Sequence, residues 1–218
     1  MLKALIIDFD GTMMDSESLW CEAFREWIYD HYGFVMPEEL FIRNSGSDGS
    51  LICEEVKRQT GQDMVLKEMM DWSYDQVHVR ANSLELLPGV MDLLKAAKAR
   101  GLKISTGTSS RAYRVIAQLE RLDAMQYFDA LSTVDLVEHA KPAPDIYLKA
   151  AELLAVKPEE CLVIEDSANG VLAAERAGMR CLIVPNATTR SMDFTGAYQV
   201  LRSLEEIDLD QIQRDFEN

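Results

Sequence analysis

Near its start the chain reads Ala4-Leu5-Ile6-Ile7-Asp8-Phe9-Asp10-Gly11-Thr12, an apolar run followed at once by two aspartates. Residues two apart in an extended segment point to the same face, so we expect Asp8 and Asp10 to converge on one bound group. Gly11 lets the backbone turn sharply beyond them. Two carboxylates held this close repel each other, and Mg²⁺, which prefers hard oxygen ligands, would resolve that repulsion. The alternative is an Asx-type turn that only closes the strand.

Short β-type runs alternate with helical patterns along most of the chain, which predicts a parallel sheet covered by helices. Several of the runs are apolar throughout, as strands buried on both faces tend to be. The predicted strands are residues 2–7, 102–106, 130–133, 161–164 and 180–184. The predicted helices are residues 89–100, 111–122, 144–154 and 169–177, with a terminal helix over 205–218. We therefore expect an α/β fold, a doubly wound parallel sheet.

Residues 16–82 interrupt this alternation, because they contain no convincing strand. Apolar side chains recur there at helical spacing, at Trp20, Phe24, Trp27 and Ile28. Further helical patterns cover residues 50–60 and 63–81. We expect a small all-helical cap domain over residues 16–82, inserted after the first strand of a core domain made of residues 1–15 and 83–218.

The composition limits the classes of partner. The 218 residues are 48% hydrophobic and carry a net charge of −15. Nucleic acids and anionic membranes require a basic surface, so we expect neither as a partner. The four cysteines are scattered without zinc-type spacing, which favours reduced thiols in a cytoplasmic protein. The opening apolar run is too short for a signal peptide, and no apolar stretch reaches transmembrane length. We expect a cytoplasmic monomer.

Polar residues follow four of the predicted strands. These clusters are Asp8 with Asp10, Gly107–Ser110, Lys141–Pro142 and Glu165–Gly170. Because the C-terminal ends of parallel strands line the ligand crevice of an open α/β sheet, we expect the clusters to meet in one site. One of the paired aspartates could then act as a nucleophile and the other as an acid or base.

Each of the later clusters also has a purely structural interpretation. The run Thr108–Ser110 precedes a helix N-terminus, where hydroxyls and free amides bind anions, but such a run is also a good N-cap. Lys141 could place its charge on a phosphoryl group, or it could be a solvated surface lysine. Glu165 and Asp166 follow a buried strand, where adjacent carboxylates are costly without a cation. Asp166 or Ser167 could equally cap the next helix.

In order along the chain, these clusters resemble the four motifs of the haloacid dehalogenase superfamily of phosphotransferases. The matching residues are Asp8-Phe9-Asp10-Gly11-Thr12, Thr108, Lys141 and Glu165-Asp166. The resemblance covers essentially the whole chain, and the helical insert is similar to the family's first type of cap. Asp15-Ser16-Glu17 and the stretch 141–147 resemble the branch that holds β-phosphoglucomutase and many small sugar-phosphate phosphatases.

The resemblance implies a mechanism and a set of ligands. It makes Asp8 the nucleophile that forms an aspartyl-phosphate. Asp10 would protonate the leaving oxygen and then activate the water that cleaves the intermediate. The residues implied to hold the phosphoryl oxygens are Thr108, Ser109 and Lys141. The implied Mg²⁺ ligands are the Asp8 carboxylate, the Asp10 backbone carbonyl, Asp166 and Glu165, the last binding directly or through water.

The same resemblance separates a phosphatase from related activities. True dehalogenases lack the second aspartate that this chain has as Asp10, which sets dehalogenation aside. β-Phosphoglucomutases carry a cap histidine where this chain has Trp20, and a phosphate-gripping arginine where residues 46–50 have none, although Arg43 lies close by. We therefore expect a phosphatase for a small phosphorylated metabolite, such as a sugar or polyol phosphate. The alternatives are a phosphosugar mutase and a non-catalytic binding or regulatory protein. The cap residues expected near the substrate are Trp20, Arg43, Gly46, Ser47 and Asp48.

Overall fold

The structure is a computed structural model and describes residues 1–44 and 49–217. Contacts divide the chain into two units, Ser16–Leu84 and a larger unit made of Met1–Asp15 with Glu85–Asn218. The segment predicted as a cap, residues 16–82, lies within the first unit. Gly46, Ser47 and Asp48, which we expect near the substrate, fall outside the described residues.

The smaller unit contains helices and, among its residues described here, no strand. The helices are α1 (Glu17–Tyr32), α2 (Glu38–Asn44), α3 (Ser50–Thr60) and α4 (Leu66–Arg80). Their apolar side chains form a core of their own that includes Trp20, Phe24, Trp27, Ile28, Ile52, Val56, Met69 and Val77. The helical spacing of the aromatic residues in the sequence thus marks the buried face of α1.

The larger unit is built on a six-stranded parallel sheet. The strands are β1 (Ala4–Ile7), β2 (Lys103–Thr108), β3 (Ala130–Thr133), β4 (Cys161–Glu165), β5 (Arg180–Ile183) and β6 (Gln199–Val200). Their order across the sheet is β3-β2-β1-β4-β5-β6. The direction of progression reverses at β1, which is the doubly wound arrangement that binds ligands at the strand ends beside the reversal. The predicted fold class is confirmed.

The helices of the larger unit follow the strands in the expected alternation. They are α5 (Val90–Ala99), α6 (Ala112–Arg121), α7 (Asp145–Leu154), α8 (Ala168–Arg176) and α9 (Leu209–Asp215). One core cluster joins strands β1, β4 and β5 to α7 and α8 through Ala4, Ile6, Ile146, Ala150, Val163, Val171, Ala174 and Ile183. All four residues of β1 are buried, because helices cover both faces of the sheet.

The register of the central strands determines which residues lie side by side at the C-terminal ends of the strands. Ile7 pairs with Thr106 of β2 on one side and with Ile164 of β4 on the other. Asp8, the next residue, therefore emerges level with Glu165, and its N–H donates to the Ile164 carbonyl at 2.9 Å. The sheet thus brings residues 8 and 165 together although 157 positions separate them in the chain.

The structure differs most from the sequence expectations at three elements. Helix α2 and strand β6 were not predicted, and both are short. The terminal helix does not extend over residues 205–218 but begins at Leu209, because the Asp208 carboxylate caps it by accepting from the N–H groups of Asp210 and Gln211. None of the helices in the described part of the chain combines the length and the apolar character that crossing a bilayer requires.

Candidate active site

Asp8 lies at the C-terminal end of β1 and is buried, with 6% of its surface exposed. Its Oδ1 accepts a hydrogen bond from Lys141 Nζ at 2.7 Å. Lys141 comes from the loop between β3 and α7, and the same Nζ donates to Glu165 Oε1 at 2.5 Å. The ammonium group therefore bridges two carboxylates that belong to adjacent strands. The interpretation of Lys141 as a solvated surface lysine is wrong, since only 7% of its side chain is exposed.

Glu165 is the last residue of β4 and is completely buried. Its Oε1 accepts from the Tyr147 hydroxyl at 2.9 Å, in addition to Lys141. Its Oε2 accepts at 2.9 Å from the N–H groups of Asp166 and Ser167 and from the Ser167 hydroxyl. Ser167 is also the N-cap of α8, because its Oγ accepts from the N–H of Gly170 at 3.1 Å. The capping interpretation of Ser167 is confirmed, and Glu165 lies among the candidate site residues through its contact with Lys141.

Asp166 is held from two sides by neutral donors. Its Oδ1 accepts from the Thr12 hydroxyl at 3.2 Å, and its Oδ2 accepts from Asn186 Nδ2 at 2.7 Å. Gly11 adopts φ of 77°, and a Cβ at this position would lie 2.6 Å from Asp166 Oδ2. Glycine is therefore required here both by the backbone conformation and by the close approach of the carboxylate.

Burial and charge together set the ionisation of the cluster. Burial raises the pKa of Asp8 to about 7, with Lys141 opposing the rise and Glu165 adding to it. Burial disfavours the charge on Lys141, but the carboxylates of Asp8 and Glu165 outweigh it and raise the pKa of this lysine. Burial acts to raise the pKa of Glu165, but Lys141 and the surrounding donors hold it below its usual range. Lys141 is thus an ammonium paired with the ionised Glu165, and Asp8 is the carboxylate of the pair whose charged form burial disfavours.

The donor set fits a magnesium ion. Asp8, Glu165 and Asp166 are buried, and each offers a carboxylate oxygen within 4.8 Å of the others. The ammonium of Lys141 contacts only two of these three carboxylates, so negative charge is in excess. Buried carboxylates are stabilised by a cation that several of them coordinate, and hard oxygen donors are the ligands that Mg²⁺ prefers.

The Asp10 carboxylate has a cationic partner of its own, Arg114. Arg114 NH2 donates to Asp10 Oδ1 at 2.5 Å and Arg114 NH1 donates to Oδ2 at 2.7 Å, and the Ser110 hydroxyl also donates to Oδ2. The convergence of the Asp8 and Asp10 side chains on one bound group stays a prediction, since the hydrogen bonds pair Asp8 with Lys141 and Asp10 with Arg114.

The hydroxyl cluster after β2 lies at the same edge of the sheet. Thr108 is buried at the end of β2, and its Oγ1 accepts from the N–H of Ser110 at 3.0 Å, while Ser109 is exposed. The expected alternative role of this run as an N-cap of α6 is not observed. Arg111 occupies the N-cap position, and the N–H of Ala112 donates to Asp135 Oδ2 at 2.6 Å.

Trp20 and Arg43, two of the residues that the sequence analysis expects near the substrate, have different environments within the helical unit. Trp20 is buried, and its ring packs edge-on against Phe24 and Tyr74, with centroid distances of 6.0 Å and 4.8 Å. Arg43 lies in the last turn of α2 and is exposed. Trp20 thus contributes to the core of the helical unit.

Sequence reasoning did not single out several residues that contact the site residues. They are Thr12, Arg114, Tyr147 and Asn186. Thr12 and Tyr147 lie inside the stretches that carry the family resemblance, so the sequence could have identified them as candidate site residues. Arg114 and Asn186 lie outside those stretches, and only the fold brings them to Asp10 and Asp166.

Comparison with known proteins identifies the family of the chain. Residues 5–184 match the family model described as haloacid dehalogenase-like hydrolase. Protein YhcW of Bacillus subtilis (strain 168) is 38% identical over 96% of this chain and 95% of its own length. The phosphorylated carbohydrates phosphatase of Thermotoga maritima is 35% identical over 82% of each chain. The crystal structure of CbbY from Rhodobacter sphaeroides in complex with phosphate superimposes with a TM-score of 0.82, at 29% identity, over 94% of this chain and 96% of that one. The resemblance seen in the four motifs is confirmed: the chain belongs to the haloacid dehalogenase-like hydrolase family.

Proposed function

We propose that this protein is a Mg²⁺-dependent phosphatase that hydrolyses a small phosphorylated metabolite through an aspartyl-phosphate on Asp8. The observation that carries the proposal is the buried cluster in which Asp8, Glu165 and Asp166 lie within 4.8 Å of one another and Lys141 bridges the first two. A carboxylate in this position can act as a nucleophile only where positive charge is close at hand.

The reaction divides into two displacements at phosphorus. In the first, an Asp8 oxygen bonds to phosphorus as the bond to the leaving oxygen breaks, and Asp10 gives that oxygen its proton. In the second, Asp10 takes a proton from water, whose oxygen bonds to phosphorus and releases Asp8 and inorganic phosphate. Asp10 thus returns to its starting state after each turnover.

The remaining residues hold the transferring group and its charge. Lys141 places an ammonium at 2.7 Å from the nucleophilic carboxylate, where it can accompany the phosphoryl oxygens during transfer. Thr108 with its hydroxyl and Ser109 with its backbone N–H would bind the other oxygens. Asp8, Asp166, Glu165 and the Asp10 carbonyl would hold Mg²⁺, which neutralises charge on the phosphoryl oxygens when bound.

The relatives support a carbohydrate phosphate as the substrate class. One is named a phosphorylated carbohydrates phosphatase, and a related crystal structure contains phosphate. We propose that the helical unit serves as the cap that admits the substrate and then excludes water during transfer. The protein carries a net charge of −15, which repels an anionic substrate. We propose that the cations at the active site attract the phosphate group of the substrate in spite of this net charge.

The test is an activity screen of the purified chain with Mg²⁺ and a panel of sugar phosphates, polyol phosphates and nucleotides. Inorganic phosphate and glucose 6-phosphate are both followed, with β-glucose 1-phosphate in the panel and Asp8→Asn as the blank. Release of phosphate from a sugar or polyol phosphate above the blank is expected. Isomerisation of β-glucose 1-phosphate without net phosphate release would instead identify a mutase.

A further inference from the structure

We propose that Arg114 is a positioning residue that fixes the direction of the Asp10 carboxylate. This inference rests on the proposed function, because it assigns Arg114 to the step that Asp10 carries out. Arg114 lies on α6, outside the four motifs. The proposed function gives it no contact with the phosphoryl group or with Mg²⁺.

The contact between the two residues is a two-point ion pair. Both terminal nitrogens of Arg114 donate to Asp10, one to each carboxylate oxygen, at 2.5 Å and 2.7 Å. The planar fork of a guanidinium matches the plane of a carboxylate, so two parallel hydrogen bonds define the orientation as well as the position of the Asp10 carboxylate. A lysine would supply the charge without this fixed plane.

Ser110 completes the arrangement. Its hydroxyl donates to Asp10 Oδ2 and accepts from Arg114 NH1 at 2.7 Å. Asp10, Ser110 and Arg114 therefore form a closed triangle of hydrogen bonds. Both partners of Asp10 belong to the segment that leads from β2 into the first turn of α6, so the sheet and the helix together hold the carboxylate.

The guanidinium of Arg114 is buried and faces Asp10, not solvent. The side chain is completely buried, on the same face of α6 as Val115 and Leu119, and its guanidinium carbon lies 5.5 Å from the centre of the Phe9 ring. An apolar side chain could fill this face of the helix without the desolvation cost of a buried cation. The two hydrogen bonds to Asp10 are the feature that only an arginine provides here.

Fixing Asp10 in this way has a specific kinetic consequence. The arrangement holds the ionised form of Asp10, which takes the proton from water in the second displacement. A base that is already oriented does not lose rotational freedom in the transition state, and misplacing a catalytic group by about 1 Å can cost about 10²-fold in rate. Loss of Arg114 should therefore lower the turnover number through Asp10 and leave substrate binding largely unchanged. The effect should vanish when Asp10 can no longer transfer a proton.

The test is a double-mutant cycle on kcat with Arg114→Met and Asp10→Asn, using the substrate found in the activity screen. In the chain that retains Asp10, Arg114→Met is expected to lower kcat by about 10- to 100-fold with KM within about twofold of its original value. In the Asp10→Asn background it should change kcat less than about twofold, because residues that act as a unit are not additive. Arg121→Met, at an exposed position of the same helix, is the matched control and should leave kcat unchanged.

Two results would overturn the inference. One is an equal fold-loss from Arg114→Met in both backgrounds, which would mean a general effect on the fold. The other is unchanged kcat when Asp10 is present. If Arg114→Met fails to show a cooperative unfolding transition, Arg114→Lys enters the same cycle, since it keeps the charge and loses the two-point geometry. A failure of the proposed function is distinguishable, because Asp10→Asn alone would then leave kcat unchanged.

Discussion

Asn186 illustrates how a single neutral side chain can orient a carboxylate, here that of Asp166, which we propose as a Mg²⁺ ligand. Its Oδ1 accepts from the N–H groups of Thr188 and Thr189, at 2.8 Å and 3.1 Å. This turn directs its Nδ2 toward Asp166 Oδ2, at 2.7 Å. Thr12 binds the other oxygen of Asp166, so the carboxylate is held on both sides before any ligand arrives. The Asp166 motif was predictable from its place after a buried strand, whereas Asn186 follows a different strand and its contact depends on the folded chain.

For this single side chain we predict that Asn186→Ala weakens Mg²⁺ binding, because Asp166 loses the donor that orients it. Losing an outer partner of a metal ligand typically costs about 10- to 100-fold in metal affinity. Calorimetric titration of the substrate-free protein with Mg²⁺ measures this directly. Thr188→Ala is the control, since it keeps the backbone N–H that Asn186 accepts from, and it should retain the original affinity. Equal affinities in the two variants would remove Asn186 from this role.

The start of α8 shows how one element can serve both the fold and the site. The helix follows β4 with only two residues between them, Asp166 and Ser167, and the N–H groups of both donate to Glu165. An ideal Cβ on Gly170 would lie 2.0 Å from the carboxyl carbon of Glu165. Glu165 cannot easily move aside, because it is completely buried and accepts hydrogen bonds at both oxygens. The helix therefore approaches the strand closely enough to require a glycine at this position.

We predict that Gly170→Ala destabilises the protein, although alanine is normally the better helix former by about 1 kcal/mol. Overpacking of this kind typically costs about 1–3 kcal/mol in the free energy of unfolding. Urea denaturation measures the change, and the Mg²⁺ titration should show weaker binding because Glu165 is displaced.

The control for this prediction measures the effect of Gly170→Ala on the free energy of unfolding in a Glu165→Ala background, by comparing Glu165→Ala with the double variant Glu165→Ala/Gly170→Ala. With the carboxylate removed, the added methyl group no longer meets it, so the second substitution should be neutral or stabilising. Destabilisation of the same size in both backgrounds would show that the close approach to Glu165 is not the cause.

The elements that could be predicted from sequence are those with a strong periodic signal. β1 and β4 are continuous apolar runs, and α6 and α7 carry apolar residues at helical spacing, so their positions were predicted to within two residues. β6 contains only Gln199 and Val200, both exposed, so no hydrophobic pattern marks it. Helix α2 spans seven residues, which is too short for its spacing to stand out from chance.

For the whole molecule, the pattern of alternating elements determined the class of fold and the end of the sheet that holds the site. What it could not supply is the partner of each charged side chain. Lys141 and Arg114 both meet an aspartate from the same pentapeptide, and the choice between them depends on where β1 ends and how α6 is oriented. Such choices are made by packing, which the linear pattern does not encode.

The cysteines give each unit a reporter of its folded state. All four are free thiols, with Cys21 in the helical unit and Cys161 and Cys181 in the larger one. Burial raises the pKa of Cys21 to about 11 and that of Cys161 to about 12, and burial also raises the pKa of Cys181. The thiolate is the reactive form, so a raised pKa lowers reactivity at any pH below it.

We predict that iodoacetamide at about pH 8 labels Cys53, which is half-buried, well before the other three. For Cys161, a rise from the ordinary value of 9.0 to about 12 lowers the thiolate fraction by about 10³-fold at that pH. Labelling should accelerate as the pH rises and become complete in urea, and peptide mass spectrometry follows each site. Rapid labelling of Cys161 in the native protein would contradict the burial described for it.

The most direct test of the central claim is to look for a phosphoryl group on Asp8. The protein is mixed with Mg²⁺ and a phosphate ester that it turns over, the reaction is stopped in acid within one turnover, and the peptides are analysed by mass spectrometry. The account predicts a phosphoryl adduct on the peptide that contains Asp8, and neither adduct nor phosphate release in Asp8→Asn. Phosphate release by Asp8→Asn at the rate of the unaltered chain would contradict it.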